Sequence, residues 1–213
     1  NDGSIASCTA VNGGNSVFVV KPSASFTMTG GTVDGSITMP YTVGNNTVYM
    51  DGLGTAAYPY QISTADQLKL FRDIVNGAGG QTQNRGAWAV LTNDIVLNDG
   101  TFAEDGSYTP GPSGKTAEEW TPIGKYTDDG NNTPYTGTFD GRGHTVSGLY
   151  VTALSNGYAG LFGYTSGSTT IKNLTVEGEI RLEDVSTTAK HIGGIVGEAN
   201  AKLERCVSRV RIS

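Results

Sequence analysis

The chain has 213 residues, a net charge of −6, 31 glycines against 7 prolines, and 16% charged residues, where soluble domains usually carry about 25%. An apolar share of 37% is enough for a buried core, and the thinly spread charge offers no basic cluster that would neutralise a phosphate backbone, so nucleic acid is excluded as a partner. No apolar run approaches the roughly 20 residues that cross a bilayer, and no membrane insertion is expected in this segment.

Residues 1–50 read as short strands separated by Gly and Asn turns, among them Val17-Phe18-Val19-Val20 and Thr47-Val48-Tyr49-Met50. Two echoes stand out. Gly3-Ser4-Ile5 returns as Gly31-Thr32-Val33, and Ser16-Val17-Phe18 as Thr47-Val48-Tyr49, which implies one structural coil per 28 to 31 residues. Residues 1–54 are therefore expected to be solenoid coils at the end of a longer repeat region. Both ends of the chain read as cut from something larger, because the sequence starts at Asn1 without a leader and stops inside an apolar-periodic run at 203–212.

One helix is expected, over about 64–76. Thr64-Ala65-Asp66-Gln67 has the form of a capping box, Leu68, Phe71 and Val75 keep one face apolar, and Asn76-Gly77 supplies the stop. A lone amphipathic helix in an all-β chain must bury its stripe, so it is assigned as a cap or flank of the solenoid. Residues 87–97 alternate like a strand. Residues 98–136 hold 4 of the 7 prolines and read as a long irregular excursion without a packing role of its own.

The repeat resumes after Phe139. Val146, Leu149 and Val151 match Ile171, Leu174 and Val176 at 25 residues, and Leu203, Cys206 and Ser208 follow 32 further on. Between them, Gly160-Leu161-Phe162-Gly163-Tyr164 and Gly194-Ile195-Val196-Gly197-Glu198 share a Gly-apolar-apolar-Gly unit. Like residues should stack in inward ladders between parallel strands roughly 4.8 Å apart. Cys8 and Cys206, separated by several such coils, are expected to stay unbonded, since a disulfide needs Cα atoms within about 7 Å.

Tyr58-Pro59-Tyr60-Gln61-Ile62-Ser63-Thr64, Leu91-Thr92-Asn93-Asp94-Ile95, Trp120-Thr121-Pro122-Ile123-Gly124, Gly137-Thr138-Phe139-Asp140-Gly141 and Gly160-Leu161-Phe162-Gly163 occur in that order. Together they resemble the GLUG-motif regions of bacterial surface and secreted proteins, over residues 55–213, while Thr29-Gly30-Gly31-Thr32-Val33 resembles pectin-lyase-like repeats. The resemblance implies a right-handed parallel β-helix in an extracellular, secreted or cell-surface protein of adhesin type. It also implies the alternative of a non-catalytic accessory region beside an IgA1-protease-type metallopeptidase or a polysaccharide-active enzyme.

Catalytic constellations are weak. His144 and His191 have no Glu-x-x-His neighbour for zinc. Asp94, Asp99, Glu104, Asp105 and Asp140 supply carboxylates for glycoside hydrolysis, but Asp94 and Asp140 read first as turn caps, and Arg142 beside Asp140 is the one base for lyase chemistry. No enzyme activity and no cofactor is expected. Asp128 and Asp129 carry hard oxygen ligands at loop spacing without the remote bidentate Glu of an EF-hand, a weak calcium candidate. The ligand-binding candidates are aromatic: Tyr108, Trp120, Tyr126 and Tyr135 fall in or beside the excursion, where exposed rings stack on sugars or anchor a protein. Trp120 has the competing reading of a buried strand entry. Tyr126 and Tyr135 are the foremost candidates, with a host glycan or host surface protein as the partner.

Overall fold

A computed structural model describes residues 17–18, 37–127, 130–152, 154, 157–182 and 191–213. In chain order the elements are β1 (Val17–Phe18), β2 (Ile37–Val43), β3 (Asn46–Asp51), β4 (Tyr60–Ile62), α1 (Ala65–Asn76), β5 (Ala89–Leu91), β6 (Ile95–Val96), β7 (Thr101–Phe102) and β8 (Tyr108–Thr109). They continue with β9 (Thr138–Asp140), β10 (Thr145–Val151), β11 (Tyr158–Ala159), β12 (Phe162–Tyr164), β13 (Thr169–Lys172), β14 (Thr175–Ile180), β15 (His191–Ile192), β16 (Val196–Glu198), β17 (Ala201–Glu204) and β18 (Val207–Ile212).

Strands that recur once per coil pair in parallel and build the faces of a β-solenoid. On the first face β4, β5, β9, β13 and β17 run parallel; on the second β6, β10, β14 and β18 do the same. The third side is formed by the parallel pairs β11 with β15 and β12 with β16, continued by the parallel bridges of Ile123 to Phe162 and Tyr135 to Thr165. The chain thus forms the expected parallel β-helix with one short helix. Ladders of like position fill its interior: Tyr60, Ala89, Phe139, Ile171 and Leu203 on the first face, Ile95, Val146, Val176 and Ser208 on the second. Phe139, Ile171, Val146 and Val176 are wholly buried, together with Leu149, Val151 and Leu174. Leu203, 45% exposed, and Ser208, also exposed, keep their places in the rows but are uncovered, because no described coil lies over them.

The 25-residue match of the sequence reading is corrected by the register. Ile171 stands over Phe139, and Val176 over Val146. The error arises because Ile171, Leu174 and Val176 round a corner between two faces, whereas Val146, Leu149 and Val151 all belong to β10, which regains the same spacing through a bulge at Gly148. The following 32-residue step, from Ile171 to Leu203 and from Val176 to Ser208, is observed.

The helix has its expected caps. Thr64 Oγ1 accepts the Gln67 N–H at 3.2 Å, Gln67 Oε1 accepts the Ser63 N–H at 2.7 Å, and Gly77 ends α1 in the left-handed region at φ 64°. Buried Leu68, Leu70, Phe71, Ile74 and Val75 give a stripe wider than the one read from sequence. Phe71 reaches beside the Ala89 rung, 5.7 Å from the ring of Phe139 and 6.4 Å from that of Tyr60, and so closes this end of the core.

Three further readings change. The echo of Val17-Phe18 at Val48-Tyr49 is no coil repeat, because Val17 pairs with Ile37 while β3 folds back antiparallel on β2 through Gly44 at φ 59°. The expected strand over 87–97 divides into β5 and β6 at a corner, with Asp94 at the bend. The excursion over 98–136 does pack. Phe102 stacks on Tyr150 at 4.6 Å and 19°, Arg211 Nη2 donates to Ala103 O at 2.6 Å, and Asn98 binds both Glu118 and the Gly148 carbonyl. It covers the outer side of the second face, whose backbone it joins through the Trp120 N–H to Tyr150 O bond of 2.7 Å. Cys206 is a free, half-buried thiol, and Cys8 lies outside the described residues, as do the expected strands at 4–6, 26–28 and 32–33.

Candidate functional site

The Gly-apolar-apolar-Gly units explain how an aromatic surface comes to be built on the third side. β12 and β16 lie beneath a second small layer, β11 and β15, and the approach is too close for side chains between them. A Cβ on Gly197 would stand 2.7 Å from His191 O and 2.9 Å from Ala159 O, and one on Gly160 would stand 2.4 Å from Gly193 O. With glycine at those points, the residues flanking the units are brought together. Tyr158 stands over His191 in the ladder, and Tyr164 over Glu198.

Tyr126 completes the group. It follows Lys125, whose backbone pairs reciprocally with Thr133 at 2.9 Å and pins the base of the intervening turn. Its ring lies 5.3 Å from that of Tyr158 and 5.5 Å, edge to face, from that of Tyr164, while Tyr158 and Tyr164 are 5.8 Å apart. The His191 imidazole stacks on Tyr158 at 4.8 Å and 7°. Tyr126, Tyr164, His191 and Glu198 are half-buried and Tyr158 is buried, so the cluster is anchored at its base and open at its rim. Tyr158 Oη donates to Glu198 Oε2 at 3.1 Å, and His191 Nδ1 lies 3.4 Å from the same oxygen. Burial first, then the neighbouring Glu198 carboxylate and the other two phenols, pushes the Tyr158 hydroxyl up to about 12. The phenol therefore stays protonated and holds Glu198 in place, leaving ring faces and a fixed carboxylate at one surface.

The other aromatic candidates are elsewhere. Tyr135 is a correction: it is fully buried, stacked on Phe162 at 5.4 Å and T-shaped to Phe71 at 5.8 Å, with its hydroxyl donating to Ala87 O at 2.8 Å. Its backbone N–H joins Tyr164 O at 3.0 Å, which makes it a rung of the third side and turns the ring inward. Trp120 is likewise inside, 4% exposed, with Nε1 donating to Leu161 O at 3.0 Å and the Arg72 guanidinium 5.1 Å from its ring. Tyr108 packs on Phe102 at 4.8 Å, takes the Gly100 N–H on its hydroxyl at 2.9 Å, and lines a cleft of about 270 Å³ with Lys69, Asp99 and Ser113. Of the four, only Tyr126 belongs to the open cluster. The sequence singles out Tyr164 and Glu198 only as the ends of the two glycine units and His191 only as a histidine without a zinc partner, and it gives no signal for Tyr158. Aligning the units at 34 residues places Tyr164 over Glu198, whereas Tyr158 meets His191 at 33, one residue off that alignment.

The acidic candidates act as turn and corner caps. Asp94 Oδ1 accepts the Thr145 N–H at 2.9 Å and contacts His144 Nδ1 at 3.1 Å, so it ties one coil to the next, and these bonds hold its carboxyl below the usual range. Asp140 Oδ1 accepts from Arg142 N at 2.9 Å and Asn173 Nδ2 at 2.8 Å; burial opposes ionisation there, and the hydrogen bonds outweigh it, lowering the carboxyl. Asp99 accepts from Ser113 N at 2.7 Å and Asp105 from Ser107 N at 2.8 Å. Among the described residues no group of three or more His, Cys, Asp or Glu side chains is placed to hold a metal. Asp128 and Asp129 lie outside the described residues.

No model of a known protein family matches the chain, and no solved structure matches it. Two relatives are similar at the sequence level. Halomucin of Haloquadratum walsbyi is 29% identical over 171 residues, 70% of this chain and 2% of its own length. A Gly-rich membrane protein of Evansella cellulosilytica is 29% identical over 135 residues, 63% of this chain and 13% of its own length. The chain thus spans a small fraction of either relative. Among the described residues no helix is long and apolar enough to cross a membrane.

Proposed function

We propose that this chain is a non-catalytic extracellular β-solenoid module of a bacterial surface protein of GLUG type, and that its open aromatic cluster binds glycan. The observation that carries the reading is the joining of Tyr126, Tyr158 and Tyr164, with ring centroids 5.3 to 5.8 Å apart, to a fixed Glu198 carboxylate. Sugar rings present C–H faces that pack on aromatic faces, and their hydroxyls donate to carboxylates; a rigid scaffold loses little conformational entropy on binding them. The names of the two relatives, a halomucin and a Gly-rich membrane protein, support a cell-surface setting. Their far greater lengths support a role as one module of a larger chain.

A glycan array probed with the wild type and with Tyr126→Ala combined with Tyr164→Ala tests the reading. Binding to at least one glycan that disappears in the double variant, with its thermal unfolding midpoint preserved, is the expected result. Equal binding by both proteins would remove the aromatic cluster as the site.

A further inference from the structure

The corner between the first and second faces has a backbone that its sequence does not favour. After β9, β13 and β17 the chain turns through the left-handed region, and the residues that adopt it are Arg142 at φ 52°, Asn173 at φ 52° and Arg205 at φ 50°. Asparagine suits that conformation and glycine suits it best, whereas an arginine there is strained by its Cβ. Two of the three corners carry this strain. The backbone groups of the corner are already used, with Gly143 N donating to Asn173 O at 2.8 Å and Asn173 N to Glu204 O at 2.9 Å, so the arginines are not needed to satisfy them.

The charges explain more. Asp140 pairs with Lys172 at 3.4 Å and Glu204 with Lys202, so these two carboxylates each have a lysine, while Asp94, at the same corner one coil earlier, contacts His144 at 3.1 Å. Arg205 Nε donates to Asn173 Oδ1 at 2.6 Å, which aims the guanidinium along the corner. Neither Arg142 nor Arg205 forms a salt bridge among the described residues, and both are exposed. They border one concavity of about 520 Å³, floored by Gly143, Asn173, Leu174 and Thr175. Two guanidiniums without a salt bridge among the described residues, two coils apart and roughly 10 Å along the solenoid at the usual strand spacing, therefore face a groove in a chain whose net charge is −6.

We infer that this corner is an anion-binding groove, in which Arg142 and Arg205 take successive carboxylate or sulfate groups of an acidic polysaccharide. The planar guanidinium forms paired hydrogen bonds to either oxyanion, and a repeating polymer presents such groups at regular intervals that suit a repeating scaffold. The site is separate from the aromatic cluster and does not depend on it.

Affinity electrophoresis through gels containing polygalacturonate, dextran sulfate or neutral dextran tests the inference, with the wild type beside Arg142→Gly combined with Arg205→Gly. Glycine relieves the left-handed strain, so the double variant is expected to unfold at the same temperature or higher while its affinity falls roughly tenfold or more, two charge-assisted contacts being lost. Retardation of the wild type by polygalacturonate assigns the groove to carboxylates, and retardation by dextran sulfate assigns it to sulfates. Tyr126→Ala combined with Tyr164→Ala should retain this retardation, which separates the two sites. A wild type that neither polyanion retards at low ionic strength overturns the inference, as does equal retardation of wild type and the glycine variant.

Discussion

Two aromatic clusters of similar geometry meet at β12, which carries Phe162 in the buried one and Tyr164 in the partly exposed one. Inside, Phe71, Tyr135, Phe139 and Phe162 meet at 5.3 to 5.8 Å; outside, Tyr126, Tyr158 and Tyr164 meet at 5.3 to 5.8 Å. Ring spacing therefore does not distinguish packing from recognition. What differs is the fate of the polar tips. The Tyr135 hydroxyl is consumed by a backbone carbonyl in a dry core, whereas the Tyr158 hydroxyl orients a carboxylate that is itself 38% exposed. The inner cluster is wholly buried in the coil stack; the outer one is anchored on it with its rim exposed.

The sharpest way to break this comparison is to truncate one ring from each cluster. Phe139 is fully buried between Phe71 and Phe162, and Phe139→Ala is expected to cost about 3 to 5 kcal/mol, the lost transfer energy and the cavity adding together. Tyr126→Ala removes a half-buried ring at a rim and is expected to cost under about 1 kcal/mol. Urea unfolding of the two variants measures the difference, and similar losses would mean that the outer cluster is structural as well.

A smaller change asks about the hydroxyls alone. Tyr135→Phe keeps the ring but leaves Ala87 O without its 2.8 Å donor in a buried site, so about 1 to 2 kcal/mol should be lost. Tyr126→Phe, at a half-buried rim, is expected to lose less stability than Tyr135→Phe and to bind glycan more weakly, read by the same unfolding curves and by the array.

The coil register shows how far sequence alone could reach. The 32-residue step from Ile171 to Leu203 was legible because both strands are long enough for their inward rows to be counted and no insertion separates them. The helix was legible because its capping residues act within one turn of chain. Tyr135 was not, since it occupies an isolated bridge, a single rung without the alternation that tells inside from outside. The hairpin of β2 and β3 was hidden by an accidental echo, although Gly44-Asn45 between two strand-like runs is a short-turn signal. The outer cluster required knowing that the glycine units let one layer lie on another, a fact about close approach that the letters Gly-x-x-Gly state only once the coil is built. The corner arginines were visible in part. In the sequence Arg142 stands out only as a base beside Asp140, and its kinship with Arg205 depends on the coil repeat and on the shared left-handed turn.

The smallest effect separates the two clusters by titration. Tyr135 ionises far above its ordinary value of 10.0 because of burial alone, while Tyr158 is raised to about 12 by burial first and then by Glu198. A phenol whose folded pKa exceeds its unfolded value favours the folded state fully below pH 10, and that contribution is lost as the pH rises through 12. Glu198→Gln removes the negative charge and the charged acceptor together, so the Tyr158 midpoint should fall while staying above 10, where burial still holds it. Tyr135 should not move. Near-ultraviolet difference absorbance, compared between the wild type, Glu198→Gln and Tyr158→Phe, identifies the Tyr158 step and follows it. A midpoint unchanged by Glu198→Gln would mean that the carboxylate does not engage the phenol in solution, and the outer cluster would then differ from the inner one only in its exposure.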